Sequence, residues 1–437
     1  MEKIKNALSR AIHSPRLPLY AFALVTLIAH LFMTRLFSDD VWFYAILDGK
    51  ENTFEAIRDF LTYRRQVWSS RTLIEGALIV LVQHMWLWKI IDSVAIIYII
   101  FELSRLLNPE KSLLKNIIIA VTPLAFPLWI LYEVGFVATS INYIIPFACA
   151  LPTISILYRS VTGRDVLALE YAIALPFLLF ACFSEIICAL VLLVALGCVV
   201  WKFVSRMGVP YAEIACVMIA IVYIVYHLSC VGNDARAEQE TLTWLPEHSS
   251  LNLIEKIELG LRAMIFSLFM YDKNIVFVLM CLAIALVVTL KTKRPLKIVF
   301  AWLPFVISSI FGVLSPILTK LQFMSGIKSQ ILVALQAPKI TLGGALCDLV
   351  AVFLLFCVLF SLREVIEGTP EYVLLFYALG IGSATKIALG LSPTVWASGN
   401  RGATFLFISI AITLGVAVYQ LITLIRERYA KTKTEAK

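Results

Sequence analysis

The chain has 437 residues, of which 61% are hydrophobic and only 15% charged, with a mean hydropathy of +0.90. A water-soluble fold of this size cannot hide so much apolar surface, so the composition excludes a soluble globular protein. The net charge of +8 comes from basic residues flanking apolar runs. No separate lysine- or arginine-rich stripe stands apart from them, so nucleic acid is not an expected partner.

Apolar runs of about 20 residues, the length that crosses the hydrocarbon core, recur along the chain. They fall at 17–37, 86–106, 115–134, 141–158, 166–183, 185–202, 211–229, 274–290, 297–316, 341–361, 371–390 and 403–425. These runs predict an all-α polytopic membrane protein, a single integral membrane domain over 1–437 with about twelve transmembrane helices. The first run is too long for a signal-peptide core and lacks a small-x-small cleavage site, so it is expected to stay as an anchor. Lys3, Lys5, Arg10 and Arg16 precede it; Arg105, Lys111 and Lys115 follow the second run, Arg159 and Arg164 the fourth, Lys202 and Arg206 the sixth. Lys291, Lys293, Arg294 and Lys297 follow the eighth, Arg363 the tenth, and Arg426, Arg428, Lys431, Lys433 and Lys437 close the chain. All fall on one side of the predicted bundle, which predicts cytoplasmic termini. The nine cysteines lie mostly inside apolar runs and show no CxxC or zinc-type spacing, so they read as small core residues.

The opposite face then receives the longer polar segments 38–85, 230–273 and 317–340. In the first, Asn52 with Glu55 forms a capping-box pattern. Phe54, Ile57, Leu61 and Trp68 then follow near helical spacing with Arg58, Arg64 and Arg65 between them, which predicts an interfacial helix. Residues 73–85 are expected as a helix lying on or dipping into the outer face, because counting them as a span would invert everything downstream. Asn252 and Glu255 open a second such helix, with Leu253, Ile257, Leu261 and Ile265 expected on one face.

Candidate chemistry gathers on that outer face. Asp39 and Asp40, in FSDDVWFYAIL, sit where the first run ends. A carboxylate there can act as a general base or bind a divalent cation; it can also simply end a helix and solvate the exit. Arg71, Glu133, Asn142, Glu185, Arg236, Lys386 and Arg401 fall on the same face. Arginine offers a planar fork that matches phosphate oxygens, and lysine a compact charge. Glu185 and Lys386 interrupt apolar runs, where charges are rare and either paired or functional; a mutual Glu185–Lys386 pair is the structural alternative. Trp42, Tyr44, Trp68, Trp244 and Trp396 add aromatic faces that suit sugar rings, and also membrane interfaces. Together these groups describe transfer of a sugar from a lipid-phosphate donor outside the membrane.

Six short motifs in order resemble the GT-C class of membrane glycosyltransferases, and most of all its bacterial serotype-type glucosyltransferases and a related, largely uncharacterised group. SDDVWFY resembles the acidic pair of the first outer loop. SSRTLIEG resembles a Gly-Arg-aromatic element, with Ser70 in place of glycine. VATSINYIIP and FSEIICALVLL resemble a small-residue turn before Asn-Tyr and a lone glutamate opening a span. VGNDAR resembles a Pro-Gly-Asn-x-x-Arg element with Val231 in place of proline, and SPTVWASGNR a final Ser-Pro…Arg turn. The resemblance implies a GT-C-like bundle in the bacterial cytoplasmic membrane, and an inverting transferase. Its partners would be a polyprenyl-phosphate-linked sugar, a glycan or lipid-linked acceptor, and membrane lipids. It implies Asp40 as catalytic base, with Asp39 orienting the acceptor or a divalent cation. Arg71, Arg236, Arg401 and Lys386 would hold the donor phosphate, while Asn142, Tyr143, Glu185 and Trp42 would meet sugar or acceptor. A transporter or flippase, or a polymerase or ligase of lipid-linked glycans, is the rival expectation.

Overall fold

In the computed structural model, residues 14–126, 130, 133–366 and 368–435 are described. Among them the chain is helical, with turns and loops between helices. Among the described residues, seven helices are long and apolar enough to cross a membrane, or eight when one bent pair counts as a single span. This establishes a multi-pass helical membrane protein, with fewer full-length spans than the hydropathy pattern predicts. Four expected spans differ for local reasons. Helix α1 (Leu17–Phe32) has 16 residues. The second is α5 (Met85–Leu107), long enough but carrying Lys89, Asp92, Glu102 and Arg105. The third is cut at Pro123, where α6 (Leu113–Val121) tightens into a 3₁₀ turn. The fifth, α8 (Ala168–Ala181), has only 14 residues, or roughly 21 Å at 1.5 Å per residue.

The chain forms two compact units, one from residues up to 120 plus 129–239, the other from 121–128 plus 240 onward. In the first, the central helix is α7 (Phe136–Val161), two-thirds of whose apolar window is buried. It packs on α5, α8 and α9 (Glu185–Val204), and α9 pairs with α10 (Tyr211–Leu228). α1 lies along α5. Three shorter helices stand before these spans: α2 (Asp39–Ala45), α3 (Thr53–Val67) and α4 (Thr72–Gln83). The Asn52 cap of α3 forms as expected, its side chain accepting from Glu55 N–H at 3.2 Å. α4 is largely packed within the unit, with Leu73 and Val80 exposed. Ile74, Leu78 and Ile79 are fully buried, and the helix packs against α2, α3, α5 and the start of α7. Its apolar run Ala77–Val82 reflects burial on most sides. Helix α11 (Val231–Trp244) begins in this unit, which ends at residue 239.

The second unit is organised on α13 (Ile275–Lys291), packed by α14 (Pro295–Val313), α15 (Leu342–Val365) and α16 (Thr404–Glu435). α12 (Leu253–Met270) meets α13 at a 71° bend. The Asn252–Glu255 capping box at its start is reciprocal, with N–H···O distances of 3.0 and 2.9 Å. The expected single interfacial face is split. Leu253, Ile254 and Ile257 are exposed, but Leu259 and residues 262–265 are buried. Only the first turns of α12 are amphipathic, and the rest enters the unit.

Candidate functional site

The acidic pair stands at a strained corner. Ser38, at φ +52°, turns the chain into α2, in a region that non-glycine residues rarely occupy. Asp39 N–H anchors the corner by donating to Val134 O at 3.1 Å. The two acids then divide. Asp40 is fully buried, and its carboxylate accepts the N–H groups of Ala138 at 2.8 Å and Val137 at 3.3 Å. It caps the N-terminus of α7 across 97 residues of sequence. Gly135, at φ +114°, lies against that carboxylate, and a Cβ there would overlap it. Asp39, by contrast, is exposed. Burial pushes the Asp40 carboxyl up to about 6, against the pull of the three N–H groups of residues 136–138.

One turn into α7 the backbone takes a π turn, Ser140–Ile144, which re-aims the side chains it carries. Asn142 Nδ2 donates to Ala138 O at 2.7 Å, and its Oδ1 accepts from Arg71 Nη1 at 3.2 Å. Arg71 Nε donates to Glu185 Oε2 at 2.6 Å. A continuous path thus runs from Asp40 through Ala138 and Asn142 to Arg71 and Glu185. Arg71 and Glu185 keep side-chain exposures of 24% and 31%, so the pair borders an opening. Among the described residues, Arg71 Nη2 meets no protein acceptor. Burial works against the Arg71 charge, but Glu185 in contact outweighs it and holds the guanidinium above its already high range. Tyr143 is half-buried and within electrostatic reach of Arg71.

Behind this pair stands a second layer. Ser70 Oγ donates to Glu185 Oε1 at 3.0 Å and meets His227 Nδ1 at 2.8 Å. Asn233 Nδ2 donates to Ser70 Oγ at 3.2 Å. Gly232 lets α11 approach α3: a Cβ there would lie 2.6 Å from Arg65 O and 2.7 Å from Trp68 N. Arg236 lies over the Trp68 ring, 5.4 Å from its centroid, and within electrostatic reach of Glu185. Arg64 is committed elsewhere. It forms a bidentate pair with Glu75 at 2.8 and 3.0 Å, between the rings of Trp42, Phe60 and Trp68. Trp42 itself is 51% exposed beside it.

The cluster occupies one end of the membrane helices of its unit. α7 and α9 begin there, and α10 ends there. At the other end lie Arg159–Glu170 at 2.6 Å and Lys202–Glu213 at 2.7 Å. α10, at 18 residues, separates the two ends by roughly 27 Å.

The structure therefore brings together Arg71, Asn142 and Glu185, with Arg236 and Tyr143 nearby and Asp39, Asp40 and Trp42 on the adjoining α2. Lys386 and Arg401 belong to the other unit. There Lys386, only 2% exposed, donates to Gly399 O at 3.0 Å, two residues before the half-buried Arg401. The Glu185–Lys386 pairing is replaced by Glu185–Arg71. Among the described residues no three His, Cys, Asp or Glu side chains converge as a metal-binding group. The sequence pattern marked Ser70 only as a departure from glycine and did not single out His227 or the His30–Asp92 pair. The last joins α1 to α5 at 2.8 Å with both residues buried. The acid inside the second apolar run was the available signal for it. Arg262, 1% exposed in α12 and bound to Glu258 and Asp348, was likewise hidden by its loop-like context.

Comparison with protein-family models, with curated proteins and with solved structures finds no match for this chain.

Proposed function

We propose that the chain is a membrane glycosyltransferase of the inverting GT-C type. It would move a sugar from a polyprenyl-phosphate donor to a cell-surface glycan or lipid-linked acceptor, in the bacterial plasma membrane with both termini cytoplasmic. The observation that carries the reading is the Arg71 fork. Its Nε and Nη1 are fixed by Glu185 and Asn142, its Nη2 is unused by protein among the described residues, and it borders an opening at one end of the membrane helices. A guanidinium fixed in this way is prepared for a phosphate oxygen at headgroup depth. Arg236, stacked on Trp68, supplies further positive charge.

The base falls to Asp39, where the sequence favoured Asp40. A base must reach the proton it takes, and Asp40 is enclosed by backbone N–H groups while Asp39 is exposed. Asp39 takes the acceptor hydroxyl proton as that oxygen bonds to the anomeric carbon. The anomeric carbon–oxygen bond breaks with its electron pair passing to the phosphate, whose growing charge Arg71 offsets. Asp40 positions the start of α7 and, through it, Asn142. Trp42 and Tyr143 are the candidate sugar contacts. Lys386 and Arg401 stay candidate phosphate ligands, each with its own substitution as test. A divalent cation at Asp39 is an option the assay decides by chelation.

The experiment is release of polyprenyl phosphate from a panel of lipid-linked sugars by the purified protein in bilayers. Wild-type protein should release it and Asp39→Asn should not; equal release by Asp39→Asn removes the base assignment, and release by no donor removes the function. The His30–Asp92 pair, buried between α1 and α5, favours one competing reading, proton-linked movement of a lipid-linked glycan. It predicts translocation of intact donor in the same vesicles.

A further inference from the structure

The hydrogen bonds behind the Arg71–Glu185 pair fix the charge of a histidine that the proposed reaction does not use. His227 Nε2 lies 2.9 Å from Cys182 O, and a carbonyl can only accept, so Nε2 carries a proton. Asn233 is oriented by Ser70 N–H, which donates to its Oδ1 at 3.3 Å. Its amide nitrogen therefore donates, to His227 O at 2.8 Å and to Ser70 Oγ at 3.2 Å.

Ser70 Oγ also meets Glu185 Oε1 at 3.0 Å and His227 Nδ1 at 2.8 Å. Ser70 is fully buried and His227 is 5% exposed, so water does not rearrange these contacts. The serine has one proton. If it points to Nδ1, two oxygen lone pairs face each other at Glu185. If it points to Glu185, Nδ1 must carry its own proton. The one other arrangement that satisfies every contact puts the proton on Glu185, and Arg71 Nε at 2.6 Å from the other carboxylate oxygen opposes that.

We infer that His227 is held as an imidazolium cation, bonded through Ser70 Oγ to Glu185, and that it is a positioning residue for the Arg71 fork. With Ser70 bridging, Glu185 keeps one oxygen for Ser70 and the other for Arg71, so the fork cannot swing. Counting Arg71, His227 and Glu185, the cluster carries one positive charge in excess. The ligand class is an anion. Its identity as a donor phosphate rests on the proposed function, whereas the protonation state does not.

The test is solid-state NMR of the full-length protein in lipid bilayers at pH 7.5, with its histidines labelled with nitrogen-15. His227 signals are identified by their loss in His227→Gln. Two protonated ring nitrogens are expected for wild-type protein, and an unprotonated Nδ1 in Ser70→Ala. An unprotonated Nδ1 in wild-type protein overturns the inference, and an imidazolium that persists in Ser70→Ala overturns the bridge. In the release assay, His227→Gln should raise the donor KM roughly tenfold with a smaller change in kcat; an unchanged KM overturns the positioning role. Imidazolium signals in a protein that releases no polyprenyl phosphate would leave the protonation standing and remove only the proposed reaction.

Discussion

Asp40 shows how one carboxylate can be read two ways. In sequence it is half of an acidic pair at a membrane exit; in the fold it is the N-terminal cap of α7, reached by no solvent. Burial raises its carboxyl to about 6, so the native protein binds a proton there more readily than the unfolded chain does. The stability this group contributes is then full near pH 4 and lost as pH rises through about 6. The loss is at most about 3 kcal/mol. Melting curves from pH 4.5 to 7.5 should show that decline in wild-type protein and a flatter profile in Asp40→Asn, whose carboxamide does not titrate. Equal slopes would mean the carboxyl is not enclosed. Arg71 makes the complementary case. Arg71→Lys keeps a charge beside Glu185 but gives up the fork to Asn142 and phosphate, so donor KM should rise about tenfold with melting temperature little changed. Ser70 was legible only as a departure from a glycine pattern, and its hydroxyl turns out to carry three contacts of the cluster. A resemblance records what a position shares; here the difference holds the chemistry.

At the level of elements, what was local was legible. The Asn252–Glu255 capping box forms in full and Asn52 caps α3 through one of the two expected bonds, because N-cap and N3 residues sit three apart and need nothing beyond the helix itself. The burial of α4 and the split face of α12 were not legible, since each depends on which neighbours arrive from elsewhere in the chain. The Arg71–Glu185 contact spans 114 residues, and no short-range pattern encodes it. The turn before α7 carries the sharpest test at this scale. Gly135 combines positive φ with contact on the Asp40 carboxylate, so alanine would strain the backbone and displace the cap together. Gly135→Ala should cost about 2–4 kcal/mol, read as a lower melting temperature, and should lower transfer activity because Asn142 moves with the turn. A protein as stable as wild type would mean the turn relaxes freely.

For the whole molecule, the sequence identified the solvent more securely than the number of crossings. Hydropathy finds apolar length but not where a helix is interrupted, so short helices such as α1 and α8 read as spans alongside α9 and α10. Charge placement is the stronger guide. In the first unit the Arg71 cluster lies at one end of α7, α9 and α10, and the basic residues Arg159, Lys202 and Arg206 lie at or beyond the other. Basic residues favour the cytoplasmic side, so the cluster should face out, where lipid-linked sugars would meet a surface acceptor. Lys50, before α3, and Arg206, after α9, are both exposed and mark the two ends. In a cysteine-free background, Lys50→Cys should react with a membrane-impermeant maleimide in intact cells, and Arg206→Cys only after the membrane is opened. The reverse pattern would put the cluster inside the cell. It would replace an outer-face transferase with a protein that meets its lipid anion from the cytoplasm, where nucleotide-activated sugars compete as donors.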